Sequence, residues 1–218
     1  MVLTLWPQDL WYESWNYSDY LTSLRLATEE VRDCPEKQIF FLCSHPPCLT
    51  MGRGDRQNAH LGLTSQSEKL KTYSIKRGGG LTFHAPNQVI LYPVMRLGAN
   101  YGLNQFLDDL QRFFVQKIND FFNFKLEFKR NPLGLWRDDK KVASFGLGLE
   151  RWITQHGLAF NLQKIPFEAL DFKNLTPCGL KSASYSSLEN LLERDISKAE
   201  REKFLDQITL TLKSRGLK

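Results

Sequence analysis

Several things are scarce or missing in this sequence, and each removes a class of protein. Cysteine is rare: the 218 residues contain four, Cys34, Cys43, Cys48 and Cys178. They form no Cys-x-x-Cys pair and no metal-type spacing with the four histidines. Neither a disulfide framework nor a metal site is expected, and the thiols read as free in a cytoplasmic chain. No stretch approaches the roughly 18 apolar residues that span a bilayer, so no membrane is expected as a partner. The first residues, MVLTLWPQDLWYESW, lack a basic segment and carry Asp9 and Glu13 early, which does not read as a secretory signal. Lysine and arginine form no run of the kind found in nucleic-acid-binding arms. Repeats, low-complexity tracts and linkers are also missing.

What is present is the composition of an ordinary globular protein, 42% hydrophobic and 24% charged. The length suffices for one large domain with a real core, here read as one unit over residues 1–218. The net charge of +5 favours an acidic partner, and with the cations interspersed an acidic protein suits it at least as well as nucleic acid. Ser18 to Val31 has apolar residues at helical intervals. Gln38 to Cys43 (QIFFLC) reads as a buried strand that Pro46-Pro47 ends, and Gly52 to Thr64 as a long loop. Tyr73 to Lys76 and Gln88 to Val94 read as strands on either side of a loop, RGGGLTFHAPN. Asn104 to Phe122 is the clearest helix, with Phe106, Leu110, Phe113, Phe114 and Ile118 on one stripe. Leu126 to Lys129, Val142 to Leu149 and His156 to Leu162 are strand candidates. Ser197 followed by Glu200 is a capping-box pattern opening a last helix. The alternation of these elements makes a mixed α/β domain.

Three segments carry chemistry. In Arg77-Gly78-Gly79-Gly80-Leu81-Thr82-Phe83-His84 the glycines permit positive φ, and their N–H groups can form an anion nest. A tight turn between strands would use the same residues. In Lys140-Lys141-Val142-Ala143-Ser144-Phe145-Gly146 a strictly alternating strand puts Lys141 on the face of Ala143, Phe145, Leu147 and Leu149, the more apolar one. Desolvation there lowers a lysine pKa and suits it to act as a base; the alternative is a lysine that snorkels to water from a strand end. In Pro177-Cys178-Gly179, proline fixes φ and glycine frees it, a kink that can expose a thiol. A small buried hydrophobe is the other reading of Cys178.

The order of short motifs along the chain resembles the lipoyl(octanoyl) transferases. The matching pieces are His45-Pro46-Pro47, Met51-Gly52-Arg53, Arg77-Gly78-Gly79 with Thr82-Phe83-His84 and Gln88, and Gly134-Leu135-Trp136. Lys141-Val142-Ala143-Ser144-Phe145-Gly146, His156-Gly157-Leu158-Ala159-Phe160-Asn161-Leu162 and Pro177-Cys178-Gly179-Leu180 complete the series, from about residue 38 to 180. The resemblance implies a biotin/lipoate-ligase-like fold: a large mixed β-sheet flanked by helices, with a second small sheet. It implies that Cys178 carries an acyl thioester, that Lys141 is its catalytic partner, and that no cofactor is needed. Substrate would be bound by Arg77, Gly78, Gly79, Gly80 and His84, by Ser144, Phe145 and Gly146, and by His156, Gly157 and Ala159. Ala85 and Asn87 stand where the family usually has glycine, which bears on acyl-chain preference.

The implied reaction moves an octanoyl group from acyl carrier protein to a lysine of lipoyl domains, those of 2-oxoacid dehydrogenases or the glycine cleavage H protein. Backbone N–H groups near Gly179 or in the Gly78–Gly80 loop are the expected oxyanion donors. A monomer is expected, with neither nucleic acid nor membrane as partner. The rival readings are an ATP-dependent lipoate or biotin ligase of the same fold, whose glycine run is similar, and a non-catalytic protein that binds acyl carriers or lipoyl domains.

Overall fold

The structure is a computed structural model that describes residues 3–5, 11–55, 70–165 and 184–217. Its centre is a seven-stranded sheet in the order β1-β2-β6-β10-β9-β8-β7. The strands are β1 (Leu3–Leu5), β2 (Gln38–Cys43), β6 (Gln88–Met95), β7 (Glu127–Arg130), β8 (Leu133–Arg137), β9 (Lys140–Glu150) and β10 (Ile153–Asn161). Only the β1–β2 pair is parallel, so the sheet is mixed as expected. The second sheet has three strands, β4 (Thr72–Ser74), β3 (Cys48–Met51) and β5 (Leu81–His84), in the order β4-β3-β5.

Both faces of the large sheet are covered, which is why β2, β6 and β10 are buried at every position rather than alternating. One face packs on α2 (Leu103–Phe122) and α4 (Lys198–Arg215). Phe106, Leu110, Phe113, Phe114 and Ile118 of α2 form that contact, each at most 4% exposed. Burying one such side chain contributes about 1.5–3 kcal/mol. Helix α4 opens on the capping box anticipated from Ser197 and Glu200: the Ser197 hydroxyl accepts from the Glu200 N–H at 3.2 Å, and the Ser197 N–H donates to Glu200 Oε2 at 3.1 Å. The other face meets α1 (Tyr17–Asp33), whose Tyr17, Tyr20, Leu24, Ala27 and Val31 are buried. A short helix, α3 (Leu188–Leu191), completes the set.

Three corrections apply to the sequence reading. Leu81–His84, assigned to a loop, is strand β5, because its side chains alternate between Thr50 and Arg77 on one side and a small apolar cluster on the other. Cys48–Met51 and Leu133–Arg137 are also strands. Most consequential is a β-bulge where β8 pairs β9: Leu135 faces Ala143, but Trp136 faces Lys141, so Val142 is an extra residue. Strict alternation fails there. Ala143 and Phe145 pack on the α2 core with Val142. Lys141 instead joins the face of Gly134 and Trp136, which is also the face of Ser144 and Gly146.

Candidate active site

A pocket lies between that face of β9 and β10 and the small sheet. Its walls are Ser144 and Gly146 of β9, His156, Gly157, Leu158 and Ala159 of β10, Tyr92 of β6, Thr82 and His84 of β5, Tyr17 of α1, and Arg77. The free volume is about 20 Å³, room for little more than one water. An eight-carbon chain enters only if wall side chains move.

Arg77 is the pocket's cation and is 4% exposed. Its guanidinium donates to Thr50 O at 3.0 Å, Thr50 Oγ1 at 2.9 Å, Thr82 Oγ1 at 2.8 Å and Gly78 O at 2.9 Å. These neutral acceptors offset the loss of water around the charge. Its aliphatic stem lies on Gly146, where a Cβ would sit 2.7 Å from Arg77 Cδ. Of the three loop glycines only Gly79 has positive φ, at 76°. The Gly78 N–H is not open to a ligand, since it donates to Leu147 O at 2.8 Å, and the Gly79 and Gly80 carbonyls accept from Gly54 and Gly52. Gly78 is therefore removed as an oxyanion donor, and the loop's close approach depends on Gly52, Gly146 and Gly148, where a Cβ would sit 2.3 Å from Gly79 O, 2.7 Å from Arg77 Cδ and 2.4 Å from Lys76 O.

Two histidines, His84 and His156, line the pocket, and a third, His45, packs edge-on against His84 with ring centroids 5.5 Å apart. His45 Nδ1 bonds the Trp15 carbonyl at 2.7 Å, so that nitrogen carries the proton and Nε2 accepts from the Tyr92 hydroxyl at 3.1 Å. Tyr20 OH meets His156 Nδ1 at 3.1 Å and stacks on Tyr92 with centroids 4.2 Å apart. His84 Nε2 meets Thr50 Oγ1 at 3.1 Å. Among the described residues its buried Nδ1 has no hydrogen-bond partner; the nearby Gln88 amide is committed to Phe83 O and Asn161 Oδ1. Burial lowers all three imidazole pKa values, His45 to about 4, His156 to about 3 and His84 well below its ordinary value. They are neutral at pH 7, which leaves Arg77 as the charge among the described residues of the pocket wall.

Lys141 is 1% exposed. Its Nζ lies 5.7 Å from the Trp136 ring centroid and 5.8 Å from that of Tyr185. The Ser186 N–H donates to its carbonyl at 2.9 Å. It therefore does not snorkel. Ser144, on the pocket wall, is three residues along the same strand, about 10 Å at the usual rise.

Most residues expected to bind substrate converge here: Arg77, His84, Ser144, Gly146, His156, Gly157 and Ala159. Phe145 does not. It points to the α2 side, edge-on to Phe128 at 5.6 Å, because neighbours in a strand face opposite ways. Gly78, Gly79 and Gly80 shape the loop without lining the pocket. Cys178, with Pro177 and Gly179, lies outside the described residues. Tyr17, Thr82, Tyr92 and Leu158 line the pocket without having been expected there. Thr82 was within reach: read as a strand, Leu81–His84 puts Thr82 and His84 on one face. Cys43 and Cys48 are buried with their thiols pushed up by desolvation, unlike reactive cysteines. Among the described residues no cluster of histidine, cysteine and acidic side chains could hold a metal, and no helix is long and apolar enough to cross a membrane.

Comparison with known proteins narrows what this arrangement is. An octanoyltransferase of Thermoanaerobacter sp. is 29% identical over 187 residues, 84% of this chain and 80% of its own. One of Geobacter metallireducens is 34% identical over 163 residues, 73% of this chain and 71% of its own. In the solved structures, lipoate-protein ligase A bound with ATP superposes with a TM-score of 0.67 at 13% identity, over 96% of this chain and 85% of that one; at that identity the likeness concerns the fold. The sequence profile of the lipoyl protein ligase A/B catalytic domain matches residues 11–209, nearly the whole chain, and the protein therefore belongs to that family of enzymes.

Proposed function

We propose that this protein is an octanoyltransferase, moving an octanoyl group from the thioester of acyl carrier protein to a lysine amine of lipoyl domains. The observation that carries the reading is Lys141. It is a buried amine, turned by the β9 bulge onto the face that lines the pocket, in a chain that matches octanoyltransferases over more than two thirds of its length. An amine taken out of water loses the solvation that favours its ammonium form. Neutral Lys141 accepts the proton of the Cys178 thiol, and the thiolate attacks the carrier thioester. The carrier sulfur leaves with that proton, and the octanoyl group stays on Cys178 as a thioester. The target amine then attacks, the Cys178 sulfur–acyl bond breaks as the amide forms, and the proton lost by the amine passes by way of Lys141 to the Cys178 sulfur, which leaves as the thiol. One thioester replaces another in the first half, so no nucleotide is consumed. Once its wall side chains move, the pocket, with its neutral histidines and the ordered Arg77, holds the acyl chain. All of this runs in one catalytic domain, in the cytoplasm where carrier thioesters are made.

The second reading, an ATP-dependent ligase, draws on the fold likeness to a ligase bound with ATP, yet the octanoyltransferases match at more than twice that identity. Intact mass after incubation with octanoyl-carrier protein separates the two. The transferase gains one octanoyl group, lost in Cys178→Ser. A Cys178→Ser variant that still modifies lipoyl domains when given ATP and free octanoate would establish the ligase instead.

A further inference from the structure

The surroundings of Lys141 are built with unusual closeness, and the transfer reaction does not by itself account for them. An ideal Cβ placed on Gly134 falls 2.5 Å from Lys141 Cε and 2.6 Å from the Ala143 carbonyl oxygen. No side chain larger than hydrogen fits between β8 and the lysine stem. Trp136, two residues on and on the same face, presents its ring 5.7 Å from Lys141 Nζ, and its indole N–H is anchored on Pro132 O at 3.2 Å. A second ring, that of Tyr185, lies 5.8 Å from Nζ, held beside β9 by its bridge to Lys141. The bulge that turns Lys141 to this face falls between Leu135 and Trp136. Floor, wall and strand defect thus meet at one amine.

We propose that Gly134 and Trp136 are positioning residues that hold the Lys141 amine in line for proton transfer, Gly134 by letting the stem lie flat on β8 and Trp136 by fixing the ammonium side with its ring. The inference rests on the role given to Lys141 above. A cation within about 6 Å of an indole face is attracted to it. The same ring bounds the space into which an uncharged amine can swing. A displaced amine leaves the cysteine with an ordinary thiol pKa of about 8.5, mostly protonated at pH 7.

The test compares wild type, Gly134→Ala, Trp136→Phe, Trp136→Leu and Lys141→Ala in the rate of acyl-enzyme formation from octanoyl-carrier protein between pH 6.5 and 9.5, with folding checked by circular dichroism. For Gly134→Ala and Trp136→Leu we expect a loss of roughly 10- to 100-fold at pH 7, part of the roughly 100- to 10,000-fold that a general base contributes. The loss should shrink toward pH 9.5 as solvent supplies the thiolate, with KM for the carrier little changed. Trp136→Phe, which keeps a ring, recovers most of the rate. If Gly134→Ala fails to fold, the leucine–phenylalanine pair at position 136 decides alone. A folded Gly134→Ala or Trp136→Leu with wild-type rate and pH profile, or a loss that is the same at every pH, overturns the positioning inference. Wild-type behaviour of Lys141→Ala overturns the reading beneath it.

Discussion

Acid should unfold this protein earlier than its carboxylates alone would dictate, because three neutral histidines are buried in one aromatic cluster. His45 has its pKa lowered to about 4 and His156 to about 3, and His84 is depressed as well, all mainly by burial. In the unfolded chain each returns to about 6.5. Between about pH 6.5 and the folded values, unfolding takes up protons, so stability is full above 6.5 and falls as the pH drops. Each histidine contributes a slope approaching 1.4 kcal/mol per pH unit. His45 and His156 together remove on the order of 3 kcal/mol between pH 6.5 and 5, and His84 adds to the loss in the same direction, a large share of a typical total of about 5–15 kcal/mol. The interval lies above the range in which the paired carboxylates Asp195 and Glu200, whose pKa values are lowered, take up protons. Urea midpoints followed by tryptophan fluorescence at pH 7.5, 6.5, 5.5 and 5.0 measure the loss, and His45→Gln should reduce its slope by about a third. A stability that stays level from pH 6.5 to 5, or imidazole resonances of these residues that titrate near 6.5, would refute the reasoning.

The two faces of β9 should separate in function. Phe145→Leu, on the α2 side, is expected to lower stability by roughly 1 kcal/mol and leave the activity per folded molecule unchanged, as denaturation beside a transfer assay will show. Gly146→Ala places a methyl 2.7 Å from Arg77 Cδ; it should displace the guanidinium and raise KM for octanoyl-carrier protein at least several-fold, while octanoyl-binding equal to wild type would contradict the role of the pocket. Ser197→Ala removes the capping box of α4 and should cost about 1 kcal/mol, read as a small drop in Tm with no change in rate. Cys178→Ser should abolish the acyl adduct in intact mass while leaving the Tm near that of wild type.

The sequence by itself determined the helices α1, α2 and α4, because their apolar stripes and the Ser197–Glu200 cap depend on local spacing. It determined β2 and β6 for a similar reason: an unbroken apolar run needs two covered faces. It also marked Arg77, His84 and His156 through the resemblance of short motifs. The glycine run hid strand β5, whose partner β3 is thirty residues earlier in sequence. Pairing across that distance leaves no local trace. The face of Lys141 could not be read either. Alternation predicts one side, and the register slip against β8 at Val142 delivers the other. A bulge is a property of two strands in register and not of either strand alone. The neutrality of the histidines is likewise a tertiary fact. Only the packing of α1, both sheets and the Arg77 loop takes His45, His84 and His156 out of water, and that removal is what holds them uncharged.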